Sequence, residues 1–273
     1  MDMSVSVGLP RYVEIRADDH WQAIDFVSDL HLDEGMPRTF AAFRRYLETT
    51  PADAVLILGD LFEVWVGDDA AGSDGFEAEV LEAIAQAACR RRIGFMAGNR
   101  DFLVGTEALR RSGMFALADP TVLEAFGRRT LLTHGDRLCL GDVDYQRFRE
   151  QVRSTDWQAD FLARPLAERR TIARDLRERS RERAAGRSRE DWYDVDTASA
   201  VRWMHEAGAR VLVHGHTHQP GTEPLAPGYL RHVLSDWDLE DADAGRAEVL
   251  RWTAAGFARL GLVQAGLAIA PSP

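Results

Sequence analysis

Val55-Leu56-Ile57-Leu58-Gly59-Asp60 is an apolar run closed by a glycine and a carboxylate. A continuous stretch of mostly branched apolar residues that ends in a turn signal predicts a fully buried strand. Asp60 then falls at the strand's carboxyl end, where open α/β sheets gather their chemistry. Four other runs have the same shape: Asp25-Phe26-Val27-Ser28-Asp29-Leu30-His31, Phe95-Met96-Ala97-Gly98-Asn99-Arg100-Asp101, Leu131-Leu132-Thr133-His134-Gly135-Asp136 and Val211-Leu212-Val213-His214-Gly215-His216-Thr217-His218. Five strand ends meeting at one sheet edge would collect these polar side chains into a single cluster.

Outward from these runs, Pro37 to Tyr46, with Phe40, Phe43 and Leu47 on one face, predicts a helix begun by proline. It joins the strands ending near Asp29 and Asp60 into a βαβ unit. Phe76, Val80, Leu81, Ile84 and Ala88 keep helical spacing, and a strand over Ile93–Ala97 follows. The second half changes character, with short strand-like stretches at Thr121–Phe126, Thr130–Thr133, Val211–Val213, Leu230–Leu234, Ala247–Trp252 and Phe257–Val263. Together these predict two packed sheets with helices outside, a four-layer α/β/β/α sandwich. Residues 1–22 read as an N-terminal extension, 23–263 as the main domain and 264–273 as a C-terminal tail. Within the domain, about 145–208 contains no strand-like run and is expected to be a helical insertion. Ten arginines stand against six acidic residues between Arg164 and Asp191, and Leu162 with Leu166 and Ile172 with Leu176 keep i,i+4 spacing.

A chain of 273 residues can bury a sizeable core without staples. Cys89 and Cys139 lie far apart and outside any Cys-x-x-Cys pattern, which argues against a disulfide framework and suits reduced thiols in the cytoplasm. No stretch has the roughly 18 uninterrupted apolar residues of a membrane span, and the acidic start Met1-Asp2 lacks the basic-then-apolar order of a signal peptide, so none is expected. Every basic residue is arginine, and 33 basic against 44 acidic residues leave a net charge of −11, which disfavours general nucleic-acid binding.

The cluster has the chemistry of a metal centre. Asp29 and His31 share one face of a strand end, and Asp60 can bridge two ions through its two oxygens. Asn99, His134, His216 and His218 would complete two sites of mixed oxygen and imidazole donors, a set that suits Mn²⁺, Fe²⁺ or Zn²⁺ better than Ca²⁺. Two divalent ions bring +4 and Asp29 and Asp60 remove two, so about +2 would remain for a hydroxide and a phosphate oxygen. His214 is expected to orient the Gly-His-Thr-His turn and Asp136 to act behind the ligands. His20, His205 and His232 are expected to be structural.

Asp29-Leu-His31, Gly59-Asp60, Gly98-Asn99, His134 and Gly215-His-Thr-His218 resemble the motifs of the calcineurin-like metallophosphoesterases, over roughly Ile24 to Val263. Ser28-Asp-Leu-His-Leu32, Gly59-Asp-Leu-Phe-Glu-Val-Trp-Val-Gly-Asp-Asp69, Gly98-Asn-Arg-Asp-Phe102, His134-Gly-Asp136 and His214-Gly-His-Thr-His-Gln-Pro220 narrow the resemblance to the UDP-2,3-diacylglucosamine pyrophosphatase (LpxH) family of the lipid A pathway. Arg100 stands where many members of the superfamily have histidine. Arginine is no general acid at neutral pH but can fork onto a phosphate.

The resemblance implies hydrolysis of UDP-2,3-diacylglucosamine at the phosphorus next to uridine, giving UMP and 2,3-diacylglucosamine 1-phosphate (lipid X). It implies two Mn²⁺ ions, one on Asp29, His31, Asp60 and His218, the other on Asp60, Asn99, His134 and His216. Asp60, Asn99, Arg100 and His134 would carry the catalysis. Asn99, Arg100, Asp142, Ser180, Arg187 and His216 would contact substrate, beneath a helical cap that holds the acyl chains. The expected location is cytoplasmic, with peripheral association on the cytoplasmic side of the inner membrane through cap arginines. Neither a nucleic-acid nor a protein partner is expected. A hydrolase of a soluble nucleotide diphosphate is the alternative enzyme, and a catalytically silent binding module on the same fold is the alternative from another class.

Overall fold

A computed structural model describes residues 7–184, 193–241 and 245–262. Its twelve strands, among the described residues, form two six-stranded sheets. The first runs β1 (Val13–Arg16), β6 (Thr121–Ala125), β7 (Arg128–Leu132), β8 (Val211–His214), β10 (Tyr229–Val233) and β9 (Gly221–Ala226). The second runs β12 (Gly256–Gly261), β11 (Glu248–Thr253), β2 (Ala23–Val27), β3 (Ala54–Leu58), β4 (Arg92–Met96) and β5 (Phe115–Leu117). Strands β2 to β5 are all parallel, as are β7, β8 and β10. The carboxyl ends of neighbouring strands in each sheet therefore share an edge.

The apolar runs become central strands because both of their faces are covered. Every residue of β2 and β3 is buried. Side chains alternate with the pleat: Ile24, Phe26, Leu56, Leu58 and Met96 point between the sheets, where they meet Leu132, Val213 and Trp252. Val27, Val55, Ile57 and Phe95 point outward to α1 (Pro37–Thr49), α2 (Phe76–Ala88) and α3 (Thr106–Ser112). In α1, Phe40, Phe43, Tyr46 and Leu47 form the buried stripe, with Pro37 in the first turn. On the far side, Ala200, Trp203 and Met204 of α7 (Thr197–Glu206) cover Val122, Leu131 and Leu212 of the first sheet. The layers are α/β/β/α, as expected.

Between β7 and β8 come α4 (Val143–Val152), α5 (Thr155–Leu162), α6 (Leu166–Ala184) and α7, with no strand among the described residues. Helix α7 lies inside the stretch 145–208 yet forms the outer layer of the sandwich, because its apolar stripe is fully buried. Helix α6 is mostly exposed and packs Leu166, Ile172 and Ala173 against the core. Val13–Arg16, read as part of an extension, forms the edge strand β1, parallel to β6. Its exposed pattern left no periodicity to read. Arg187 and the tail 264–273 lie outside the described residues. No helix among the described residues is long and apolar enough to cross a membrane.

Candidate metal centre

The polar residues expected to converge all follow strands. Asp29 and His31 come after β2, Asp60 after β3, Asn99 and Arg100 after β4, His134 after β7, and His216 and His218 after β8. The chain leaves the strands in turns that L-residues seldom adopt: φ is 53° at Asp29, 48° at His31, 54° at Asp60, 68° at His216 and 52° at His218. A left-handed conformation costs about 1–2 kcal/mol per residue, and five of them within one cluster mark a functional site. Backbone bonds lock the turns together. Asp29 N–H donates to Gly59 O at 3.1 Å, His31 N–H to Asp60 O at 3.0 Å, and Gly215 N–H to His134 O at 2.9 Å.

Three glycines permit the close approach. A Cβ on Gly59 would strike the His134 ring and Gly98, one on Gly98 would strike Asp60, and one on Gly215 would strike Asp29 and Ser28. Asp101, fully buried, accepts N–H bonds from Gly98 at 2.8 Å and Leu61 at 2.7 Å, which pins the Asp60 and Asn99 turns to each other. Burial, reinforced by Asp60, pushes the Asp101 carboxyl up to about 6.

Donor atoms face one another across the cluster. Asn99 Oδ1 lies 2.9 Å from His134 Nε2 and 2.8 Å from His216 Nδ1. His134 Nε2 is 3.7 Å from Asp60 Oδ1, and His31 Nε2 is 3.8 Å from Asp60 Oδ2. His218 Nε2 is 3.4 Å from Asp29 Oδ1 and 3.2 Å from His31 Nε2. His134 Nδ1 is 2.9 Å from Leu58 O. A carbonyl only accepts, so that nitrogen carries a proton; in the neutral ring, as a bound cation would make it, Nε2 presents a lone pair to Asn99 and Asp60. Lone pairs aimed at lone pairs suit a cation between them. With the Asn99 amide turned over, its nitrogen would instead donate to His134, His216 and Asp60 while its oxygen accepts from Arg100 Nε at 3.2 Å. A cation favours the oxygen-inward orientation. Asp29, His31 and His218, and likewise Asp29, Asp60 and His134, bring ligand atoms within 4.8 Å of one another.

The electrostatics are divided. Burial opposes charge on Asp29, yet His218 and the other imidazoles hold its carboxyl well below the usual range. Burial also opposes charge on His134, but Asp60, Asp136 and Asp29 outweigh it and raise the imidazole to about 9. Burial and the neighbouring His134 lower His216 to about 4.

Around the cluster stand residues to which sequence reasoning gave no role. His31 Nδ1 faces Glu63 Oε2 at 3.1 Å, and Glu63 pairs with Arg177 of α6. His218 Nδ1 faces Asp236 Oδ2 at 3.6 Å, and Asp236 pairs with Arg246. The Tyr145 ring stacks on His216 with centroids 5.9 Å apart, and its hydroxyl donates to Asp136 at 2.5 Å. Arg149 Nε donates to the same carboxylate at 2.7 Å, and Arg153 donates to Gly98 O at 2.8 Å. Helix α4 is thus bound to the turns. Glu63 and Asp101 lie within the quoted motifs, but spacing does not tell which atom a carboxylate faces.

Arg100 donates its backbone N–H to Asp60 Oδ1 at 2.8 Å, and its side-chain Nε lies 3.9 Å from Asp60 Oδ2. Asp142 is the N-cap of α4, accepting from Tyr145 N–H at 3.1 Å. Ser180 is exposed near the end of α6. His214 is buried, with Nδ1 2.9 Å from Gly215 O in its own turn.

Residues 23–220 match the sequence profile of the calcineurin-like phosphoesterases. The chain is 42% identical over 238 residues to a Cellvibrio japonicus protein named UDP-2,3-diacylglucosamine hydrolase, covering 83% of this chain and 98% of that one. A Stenotrophomonas maltophilia protein of the same name is 40% identical over 241 residues, covering 84% of this chain and 96% of its own. Among solved structures, vacuolar protein sorting 29 from Cryptosporidium parvum aligns with a TM-score of 0.44 at 14% identity, over 88% of this chain and 86% of that one.

Proposed function

The chain belongs to the calcineurin-like phosphoesterase family, and from that premise we propose that it hydrolyses the diphosphate of UDP-2,3-diacylglucosamine to UMP and 2,3-diacylglucosamine 1-phosphate. Asp29, His31, Asp60 and His218 would hold one divalent cation, and Asp60, Asn99, His134 and His216 the other. The mixed oxygen and nitrogen donors favour Mn²⁺. When bound, such a pair supplies an acidified water and withdraws charge from the phosphoryl oxygens.

The side chains supply the rest. Asp60, with Oδ2 3.8 Å from His31 Nε2 and Oδ1 3.7 Å from His134 Nε2, would serve both groups. Asn99, Arg100 and His216 bind and orient the diphosphate, so that the phosphorus beside uridine faces the cluster. The observation that carries this reading is Arg100, a permanently charged fork whose Nε lies 3.9 Å from Asp60. A guanidinium gives no proton to a leaving group, but it neutralises one that is itself a phosphate. Helices α4 to α6 serve as the cap. Their exposed Val143, Leu162 and Leu176 offer apolar wall to acyl chains, and α6 carries arginines toward anionic headgroups. Asp142, Ser180 and Arg187 are assigned to the glucosamine end of the substrate, and the protein is assigned to the cytoplasmic face of the inner membrane.

The test is turnover in ¹⁸O-enriched water with Mn²⁺ and the lipid nucleotide in mixed micelles. UMP carrying the label is the expected product. Label in the lipid phosphate would overturn the assigned point of attack. Equal or faster turnover of a UDP-sugar without acyl chains would overturn the lipid assignment in favour of a soluble diphosphate.

A further inference from the structure

The turn that carries Asn99 and Arg100 is held from two directions. Its amides meet buried carboxylates: Gly98 N–H donates to Asp101 at 2.8 Å and Arg100 N–H to Asp60 at 2.8 Å. Arg100 O accepts from Trp65 N–H at 3.2 Å. The carbonyls at the start of the turn are met by one side chain from helix α4. Arg153 Nη2 donates to Gly98 O at 2.8 Å and to Ala97 O at 3.3 Å. Its guanidinium lies over the Phe102 ring, 5.3 Å from the centroid, and Phe102 packs on Trp157 of α5 with centroids 6.1 Å apart. Arg153 is thus tied to both ends of the segment 97–102.

A glycine peptide needs such a clamp more than others do, because no Cβ restricts its φ and ψ. Gly98 has to be glycine, since a Cβ there would strike Asp60. The same freedom leaves the plane of the Gly98–Asn99 peptide to be set by what its carbonyl bonds. Asn99 Oδ1 lies 2.9 Å from His134 Nε2 and 2.8 Å from His216 Nδ1, so a rotation of that peptide would carry the amide out of the cluster. Arg100 follows directly and would swing with it. A guanidinium presents its donors in one plane and never loses its charge, which suits it to hold two successive carbonyls.

We infer that Arg153 is a positioning residue for the hydrolysis: by holding the Ala97 and Gly98 carbonyls it keeps the Asn99 amide oxygen facing the cluster and aims Arg100 at the diphosphate, without itself touching substrate. The inference rests on the roles proposed above for Asn99 and Arg100. It gives helix α4 a task of its own, as part of the floor of the site rather than of a lid above it.

The test compares Arg153→Ala and Arg153→Lys with the unaltered full chain, all loaded with Mn²⁺ and given the lipid nucleotide in mixed micelles. Arg153→Ala should lower kcat about 100-fold, as a slightly misplaced group does, and leave KM within about threefold. Arg153→Lys, which can still donate to Gly98 O, should recover about tenfold of that loss. Hydrogen exchange in Arg153→Ala should quicken for peptides spanning 97–102 and stay unchanged over β4, and about tenfold more MnCl₂ should be needed to load the chain fully. Urea melts check that the variants fold. Should Arg153→Ala not fold, Arg153→Met, which keeps the length and the packing on Phe102 but has no N–H, takes its place with the same expectations. A rise in KM of about tenfold with kcat unchanged would make Arg153 a substrate contact and overturn the inference. Unaltered kinetics, or a lysine variant no better than alanine, would overturn it too. Exchange and manganese loading need no substrate. If the unaltered chain leaves the lipid nucleotide intact, the substrate reading falls, and these two measurements still decide the role of Arg153: unchanged exchange over 97–102 would overturn it.

Discussion

Gly59 shows what the site demands of single residues. Its φ is +93°, and a Cβ there would run into the His134 ring and the Gly98 backbone. Gly127, at φ +72°, has nothing within 4 Å of an added Cβ. Gly127→Ala should therefore cost only the backbone penalty, about 1 kcal/mol. Gly59→Ala adds overpacking and should cost roughly 3 kcal/mol in total, with metal uptake lost besides. Urea melts of the two variants check the difference, and equal losses would mean that the His134 contact does not constrain the turn. At this scale the sequence was most legible where a candidate ligand follows a strand, because an apolar run closed by a metal-competent residue repeats five times, three of them through Gly59-Asp60, Gly98-Asn99 and Gly215-His216. Glu63, Asp236, Tyr145 and Arg177 were not legible. Their contacts cross between chain segments, and spacing along the chain carries no record of that.

Among the elements, α6 is anchored near its start by a buried arginine, besides the packing of Leu166, Ile172 and Ala173 and the Arg177–Glu63 pair. Arg169, only 3% exposed, donates to Val66 O, to Asp69 and to Arg164 O, fastening an otherwise exposed helix to the loop after Asp60. Hydrogen bonds to charged groups contribute about 1.5–3 kcal/mol each when one partner is buried. Arg169→Ala should raise amide exchange across Leu166–Ala184 and raise KM for the lipid nucleotide about fivefold more than it lowers kcat, as roughly 1 kcal/mol of lost cap order requires. Unchanged exchange would show that α6 is held elsewhere.

Strand β10 offers a pH test. His232 is buried against Phe257, with Nδ1 2.8 Å from Thr222 Oγ1, and burial followed by nearby Arg259 lowers its imidazole to about 4. Between about 4 and the ordinary 6.5 the unfolded chain binds a proton that the folded chain does not. The contribution is therefore intact above that window and declines as pH falls through it. His232→Gln keeps a partner for Thr222 and should flatten the decline in melts between those pH values; an unaltered slope would assign it to other groups. The elements that escaped sequence reasoning were short or at edges. Three-residue β5 and seven-residue α3 are too brief for a period to show. Strand β9 carries Pro224 and exposed polar residues, which sheets tolerate at an edge.

For the molecule as a whole, the proposed ligands come from five segments spread between positions 29 and 218, so they meet only when both sheets have formed. A cation that binds this assembly and not the unfolded chain stabilises it by about 2.7 kcal/mol at a hundredfold excess over its Kd. Stripping with chelator should lower Tm by several degrees, and adding Mn²⁺ back should restore it. A Tm indifferent to both would place the donors too far apart to share an ion. The four layers were legible because central strands advertise themselves as unbroken apolar runs. The division of 145–208 between helices α4 to α6, proposed as a cap, and the outer helix α7 was not, because both parts carry apolar stripes and burial separates them.

Asp29, His31, Asp60 and Asn99 hang from one sheet, while His134, His216 and His218 hang from the other. Phe26, Leu56, Leu132 and Trp252 fill the space between, so this apolar filling is a spacer whose thickness would set the bite of the proposed chelate. A change of one methylene deep in that layer, far from any polar group, would retune the reactivity of the edge by altering how far apart two walls stand.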